Sequence, residues 1–252
     1  AHYDDEAFDE DRDVLLGSMD ENGIQEVVNV CASIDSLEKT KALMEKYSFV
    51  YGAFGIHPDD AELVTEEVLD KVRECCGLEK AVAVGEIGLD YYWHKEAGEH
   101  ELQKKIFRQQ MEIARELHMP FMVHSREAAA DTLDLVKDCV NEGMYGGIIH
   151  CFSYGKEMAR EYLNMGLYLG IGGVVTFNNA RKVKEVVEYA SLEQIVLETD
   201  SPYLSPVPYR GKRNCSLNLP LVAEEIGRIK GISSEEVVRV TGDNARRLLL
   251  RK

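Results

Sequence analysis

The sequence predicts an α/β fold, a (β/α)8 TIM barrel in a single domain over residues 1–252. Short apolar runs alternate with amphipathic stretches along the whole chain. The runs are almost continuously apolar, which is expected for parallel strands covered on both faces. No linker rich in Pro, Gly or Ser and no internal repeat divides the chain, so its length indicates one barrel.

Strands are predicted at seven apolar runs. In chain order these are 24–30, 49–56, 81–88, 120–124, 145–152, 167–173 and 194–200. Seven strands are one fewer than the barrel requires. Residues 7–22 predict a helix that has no strand before it. We therefore expect that the first strand of the barrel is largely missing from this sequence.

Helices are predicted between the strands and after the last one. Asp35 or Ser36 is expected to cap a helix that runs to residue 47, and Ser125 to cap a helix over 126–142. Their short polar side chains can accept hydrogen bonds from the free N–H groups of a first helical turn. Other helices are predicted from near Thr65, over 96–118 with Phe107, Met111 and Ala114 on one face, and over 217–230 and 233–250.

The composition limits the possible function classes. With 29 basic and 45 acidic residues, the net charge is −16, which argues against a protein that covers duplex DNA with a broad basic face. A nucleic-acid enzyme remains open, because bound metal ions can attract phosphate locally. The six cysteines form no C-x-x-C pair and predict reduced thiols in the cytoplasm. Without a signal peptide or a long apolar run, we expect neither secretion nor membrane spanning.

Potential metal ligands close four of the apolar runs. They are Glu86, His124, His150 and Asp200. Each alone has an ordinary structural explanation, as a hydrogen-bonded side chain or a turn residue. The C-terminal ends of barrel strands meet on one face, however, where the active sites are built. Four such residues at corresponding ends therefore favour a site for divalent metal, whether Zn, Mg, Mn, Co or Ni.

A further histidine and a basic segment are candidates for substrate contacts. His57 ends an apolar run and is either a ligand or a substrate contact, with a turn residue as the plain alternative. Arg210, Lys212 and Arg213 concentrate positive charge after the last predicted strand, where barrels often bind phosphate. Arg126 is a second phosphate-binding candidate. The plain alternative for the basic segment is a charged surface loop.

Six motifs span the chain: GIHP (55–58), GEIGLDYY (85–92), VHSRE (123–127), HCFS (150–153), ETDSPYL (198–204) and RGKRN (210–214). Together they resemble the TatD-like metal-dependent deoxyribonucleases, which are amidohydrolase-type TIM barrels. The resemblance runs from residue 2 to about residue 244. It implies a two-metal phosphodiesterase that acts on DNA. The family opens with a His-x-His pair, and Ala1 and His2 match only its last two positions.

On this resemblance, Glu86 is predicted to be shared by two divalent metal ions. His2 and Asp200 would hold the first ion, together with the other His of the family's pair. His124 and His150 would hold the second ion. A carboxylate can bridge two ions in this way, and such ions activate water for attack on phosphoesters.

The predicted catalytic residues are Glu86, Asp200 and His57. Asp200 is the expected general base, because a carboxylate within hydrogen-bond reach can take a proton from water. His57 and the segment 210–213 would hold the phosphate and stabilise its developing charge. The rings at 91–93 are candidates for stacking on bases, with loop packing as the alternative.

Other functions stay open. One is another amidohydrolase-type reaction, on a small phosphoester, an amide or a lactone. No Lys lies at a predicted strand end to form a carboxylated bridge, and Glu86 would take that place. A second is a barrel that only binds metal or a partner protein. A nucleotide-binding or redox barrel is disfavoured, because a glycine-rich phosphate loop is absent.

Overall fold

The computed structural model describes residues 1–250. The chain divides into two compact units, a central unit of Val28–His150 and a terminal unit formed by Ala1–Val27 and Cys151–Lys252. The prediction of a single domain stays a prediction. Among the described residues, no helix combines the length and the apolar character needed to cross a membrane.

Strands and helices alternate along the described chain. The strands β1 to β7 are Val27–Val30, Val50–Phe54, Ala81–Asp90, Phe121–Arg126, Gly147–Ile149, Tyr168–Ile171 and Ile195–Leu197. The helices α1 to α9 are Arg12–Gly17, Ile34–Lys46, Glu66–Cys76, Ala97–Glu116, Ala129–Asn141, Lys156–Asn164, Arg181–Tyr189, Leu219–Lys230 and Ser234–Leu249. Each of the seven predicted strands is therefore confirmed, with shorter bounds in most cases.

The central unit contains a sheet in which β1 to β5 are neighbours in chain order. The pairs β2–β3, β3–β4 and β4–β5 are parallel. Every residue of β3 after Ala81 is buried, as expected for a strand covered on both faces. Helix α4 buries Phe107, Met111 and Ala114, which confirms its predicted apolar face.

The terminal unit contains the parallel pair β6–β7, with Leu169 opposite Ile195 and Ile171 opposite Leu197. Side chains of helix α9 bond to the backbone at the start of β7. The buried amide of Asn244 donates to the carbonyl oxygens of Leu192 and Ile195, at 2.8 Å each. This contact fixes the segment that leads into the strand before Asp200.

Two predicted helix caps are wrong. Ser33 caps α2 and accepts a hydrogen bond from the Ser36 N–H at 3.3 Å, so neither Asp35 nor Ser36 is the cap. Ser125 does not cap α5, because β4 continues through Arg126 and α5 begins only at Ala129. The Ser125 hydroxyl bonds instead to the Thr132 hydroxyl at 2.8 Å.

The predicted helix over 7–22 is also wrong, since the structure breaks it into short pieces. A 3-10 turn covers Glu6–Phe8, and a second 3-10 turn covers Asp20–Asn22 after α1. Asp5 caps the first turn by accepting from the Ala7 N–H at 2.8 Å. Arg12 donates to the carbonyl oxygen of Asp5 at 2.9 Å. These local bonds compete with a continuous helical ladder.

Candidate metal centre

Glu86 is the middle of a histidine cluster in the central unit. Its side chain lies on β3 and is only 4% exposed. One of its oxygens, Oε1, is 2.9 Å from His124 Nδ1 and 3.7 Å from His150 Nε2. The same oxygen is 3.9 Å from His57 Nε2. Four predicted site residues are thus brought together: His57 follows β2, Glu86 and His124 lie within β3 and β4, and His150 follows β5.

The cluster fits a divalent cation. Potential ligand atoms of His57, Glu86 and His124 lie within 4.8 Å of one another. Two ligands about 2.1 Å from a tetrahedral cation are about 3.4 Å apart, and the separations around Glu86 Oε1 bracket that value. Imidazole nitrogen with carboxylate oxygen is a donor set suited to zinc and to other first-row divalent ions.

The surroundings of Glu86 favour its ionised form, a carboxylate that can bind metal. Burial alone raises the pKa of Glu86, but the nearby charge of His150 and the hydrogen bond with His124 outweigh it and hold the pKa well below its usual range. The carboxylate is therefore ionised at neutral pH. Metal ligation requires this, because the ligand oxygen must be deprotonated.

Asp90 is a site residue that was not predicted from the sequence. It is 1% exposed, and its Oδ2 lies 3.0 Å from His124 Nε2. Burial raises the pKa of Asp90, but the hydrogen bonds with His124 and with two backbone N–H groups lower it to about 2. Because side chains alternate along a strand, its position four residues after Glu86 was a signal for the same face.

His124 therefore lies between two carboxylates. Burial by itself lowers the pKa of His124, whereas its hydrogen bonds with Asp90 and Glu86 raise it to about 9. A metal ligand must be a neutral imidazole, so a cation and a proton compete for the nitrogen that faces Glu86. Asp90 accepts from the other nitrogen and thereby fixes the orientation of the ring.

Two buried glutamines of α4 hold the strand ends in place. Gln110 accepts from the Ile56 N–H at 2.8 Å and donates to the Ile56 carbonyl oxygen at 3.0 Å. Gln103 accepts from the Asp90 N–H at 3.0 Å and donates to the Pro58 carbonyl oxygen at 3.3 Å. Helix α4 thus fixes the backbone on both sides of His57 and at Asp90.

His57 has a defined hydrogen-bond partner. The backbone N–H of Asp59 donates to His57 Nδ1 at 3.2 Å. The same nitrogen lies 3.4 Å from Asp59 Oδ2, so Nδ1 faces both a donor and an acceptor, and these contacts do not select one tautomer of the neutral ring. The two alternatives for His57, metal ligand and substrate contact, both stay predictions.

The terminal unit places His2 beside Asp200. His2 Nε2 is 3.5 Å from Asp200 Oδ1, and the His2 N–H donates to the Ser201 carbonyl oxygen at 2.8 Å. Asp200 has a left-handed backbone with φ of 54°, which Asp adopts more readily than most residues. The pair offers one imidazole and one carboxylate. That all five predicted ligands form one centre stays a prediction.

The three basic residues of the predicted phosphate-binding segment, in the terminal unit, differ in their contacts. Arg213 donates to both carboxylate oxygens of Asp11, at 2.7 and 2.6 Å, so its charge is already paired. Arg210 lies over the Phe177 ring, 4.3 Å from its centroid. Within residues 1–250, neither Arg210 nor Lys212 forms an ion pair with an acidic residue. These two keep the charge that a phosphate would need.

The rings at 91–93 differ in their surroundings. Tyr91 stacks on His100 with centroids 3.6 Å apart and donates to Asp131 at 2.7 Å. The stacking expectation therefore does not fit Tyr91, since one face of its ring is covered. Arg126 lies over the Tyr92 ring at 3.9 Å, whereas Trp93 is largely exposed.

Comparison with known proteins identifies relatives over the full length. The family model described as TatD related DNase matches residues 1–250. An uncharacterized metal-dependent hydrolase of Bacillus subtilis, YabD, is 39% identical over 248 residues, which cover 98% of this chain and 96% of that protein. A Cronobacter sakazakii protein named 3'-5' ssDNA/RNA exonuclease TatD is 29% identical over 249 residues, which cover 97% of this chain and 94% of that protein.

A solved structure shows the same fold. The crystal structure of YjjV, a TatD homologue from Escherichia coli, matches with a TM-score of 0.91 at 24% identity and covers 100% of this chain and 96% of that chain. This likeness confirms the α/β TIM-barrel class predicted from the sequence. The match of the family model over residues 1–250 settles the family. The chain belongs to the TatD related DNase family and is a metal-dependent hydrolase.

Proposed function

We propose that this protein hydrolyses phosphodiester bonds of DNA with the help of two divalent metal ions. The observation that carries the proposal is the buried carboxylate of Glu86 among three imidazoles, in a chain of the TatD related DNase family. The C. sakazakii relative, which is named as an exonuclease of single-stranded DNA and RNA, supports nucleic acid as the substrate class.

The residues of the central unit would divide the work as follows. Glu86, His124 and His150 would hold metal, and a bound divalent ion would supply an activated water and neutralise charge on the phosphate. Asp90 is a positioning residue, because it accepts from His124 Nε2 and leaves Nδ1 directed at Glu86. His57 would contact a phosphate oxygen and stabilise the charge that develops on it.

The residues of the terminal unit would add a ligand pair and a base. His2 and Asp200 are the proposed ligands there, and Asp200 is also the proposed general base. Its Oδ1 lies 3.5 Å from His2 Nε2. A carboxylate within hydrogen-bond reach of a water molecule can accept a proton from it.

We assign Arg210 to a phosphate that flanks the scissile one. Arg210→Ala is therefore expected to raise KM for DNA and to weaken the dependence of KM on salt concentration. The loss of one phosphate contact lowers the slope of log KM against log salt concentration by about 0.7 to 1. Metal content is expected to stay unchanged. Hydrolysis of a nitrophenyl phosphodiester is expected to change much less, because the lost contact is remote from the reacting bond.

Arg181→Ala is the matched control for this prediction. Arg181 is an exposed arginine of α7 that pairs with Glu185 at 2.7 Å, and its loss is expected to leave KM and the salt slope as they are. An equal loss on both substrates for Arg210→Ala would contradict the assignment of Arg210 to a flanking phosphate.

The substrate class is tested by presenting the metal-loaded protein with a panel of substrates. The panel contains single-stranded DNA, duplex DNA, single-stranded RNA, a nitrophenyl phosphodiester, an amide and a lactone. The proposal predicts cleavage of DNA and of the nitrophenyl phosphodiester, and none of the amide or the lactone. Turnover of the amide or the lactone with intact DNA would instead support another amidohydrolase-type reaction.

A further inference from the structure

Two aromatic rings are exposed directly after the strand that carries Glu86. The side chains of Tyr92 and Trp93 are 39% and 65% exposed, and their rings meet edge to face with centroids 4.7 Å apart. An indole exposed to this degree buries little surface on folding, so it contributes little to stability. Packing alone does not account for its place on this loop.

The two rings are held by charged and polar neighbours. The Arg126 guanidinium lies 3.9 Å from the Tyr92 centroid and 5.6 Å from the Trp93 centroid. The backbone N–H groups of Tyr92 and Trp93 donate to Asp90 Oδ1 at 2.9 and 3.1 Å. We call Tyr92, Trp93 and Arg126 the aromatic platform.

The platform is linked to the candidate metal centre through Asp90. One carboxylate oxygen of Asp90 holds the backbone of the platform, and the other lies 3.0 Å from His124 Nε2. Asp90 and Arg126 are also register partners in the β3–β4 pair. The loop that carries the rings is therefore positioned by the same side chain that orients a proposed metal ligand.

The chemistry of the platform matches a nucleotide with an unpaired base. An exposed indole offers a flat π-face to a base, whatever the sequence. Arg126 is exposed, and among residues 1–250 it forms no ion pair with an acidic residue, so its N–H groups are available to a phosphate. Bases of a duplex are stacked inside the helix, whereas bases of a single strand can stack on a side chain.

We propose that Trp93 stacks on a nucleobase of single-stranded nucleic acid while Arg126 binds a neighbouring phosphate. The inference rests on the proposed function and narrows its substrate class to single strands. Binding at the platform would place the nucleic acid beside the cluster formed by Glu86 and its neighbouring histidines, which we call the Glu86 cluster. Tyr92 packs against Arg126 and does not stack on a base itself, because the guanidinium covers its ring.

The fluorescence of Trp93 provides a direct test, because it is the only tryptophan of the chain. The metal-loaded, full-length protein is titrated with a short oligothymidylate whose phosphorothioate backbone resists hydrolysis. Stacking is expected to quench the indole emission. An abasic phosphorothioate of the same length and charge, and a duplex, are expected to quench it much less.

Variants separate the contribution of base stacking to affinity from the contribution of the positive charge. With a dye-labelled oligothymidylate, Trp93→Ala is expected to weaken binding by about 5-fold to 150-fold, and Trp93→Phe to weaken it less. Arg126→Ala is expected to weaken binding and to lower the salt slope by about 0.7 to 1. Tyr189→Ala is the matched control, since this tyrosine of α7 is 49% exposed and lies outside the platform.

The outcomes distinguish this inference from the proposed function. Equal quenching by the abasic strand or by the duplex would overturn the stacking inference, as would unchanged affinity in Trp93→Ala. If one of these results is found but natural oligothymidylate is cleaved, the proposed function stands and the stacking inference fails. If selective quenching occurs but no nucleic acid is cleaved, the platform stands and the proposed function fails.

Discussion

Glu86→Gln is expected to abolish turnover and to reduce bound metal while the fold remains. Glutamine has nearly the same size, but its neutral amide binds hard cations poorly and cannot bridge two of them. Metal ions contribute several kcal/mol of charge stabilisation to such reactions, so the loss in kcat is expected to be about 1000-fold or more. The measurements are kcat on DNA, metal content per chain and circular dichroism.

The control is Glu45→Gln, which makes the same chemical change at an exposed position of α2 in the same unit. It is expected to leave turnover and metal content as in the unaltered protein. Wild-type turnover in Glu86→Gln would remove Glu86 from the mechanism. Loss of the circular dichroism spectrum would instead show that the carboxylate is needed for folding.

Asp90→Asn is expected to weaken metal binding by about 10-fold to 100-fold. Asp90 accepts from His124 Nε2, whereas an asparagine amide group would donate to that nitrogen. The imidazole would then carry its proton on Nδ1, the nitrogen that faces Glu86, and would lose its lone pair for metal. The readout is the dissociation constant of a divalent ion, measured by calorimetry, so it does not depend on turnover.

A purely structural role for Asp90 would give a different result. Asp134→Asn, at an exposed position of α5, is the control for the change in charge. If Asp90→Asn lowers the thermal midpoint but binds metal as the unaltered protein does, Asp90 supports the loop at 91–93 and does not position His124. Recovery of metal affinity in Asp90→Glu would support the positioning role.

The strands and the candidate ligands on or beside them could be predicted because both leave local signals. Buried parallel strands appear as continuous apolar runs, and Glu86, His124 and His150 each interrupt such a run with a group that binds metal. The structure brings these three into contact. Sequence spacing could not give the hydrogen-bond partners of each ring, because those depend on the register of neighbouring strands.

Asp90 was missed because β3 is longer than its apolar run suggests. The predicted strand ended at residue 88, but the observed strand continues to Asp90. The backbone there bonds to Gln103 of α4, which is a long-range contact with no local signal. The wrong prediction of a helix cap at Ser125 has the same cause, since β4 also extends beyond its apolar residues.

The basic segment shows the limit of charge counting. Arg210, Lys212 and Arg213 look alike in the sequence, yet Arg213 is paired with Asp11, about 200 residues away along the chain. The contacts in the folded terminal unit are needed to distinguish an arginine paired within the protein from one whose charge is available to a substrate. Composition predicts the number of charges but not their partners.

The central claim is that bound divalent metal at the Glu86 cluster is required for phosphodiester hydrolysis. It is tested most directly by stripping the protein of metal, reloading it stepwise with one divalent ion, and measuring cleavage of single-stranded DNA against metal bound per chain. The account predicts no cleavage without metal and a rise that levels off at two ions per chain. Cleavage by the stripped protein in excess chelator, at the rate of the loaded protein, would contradict it.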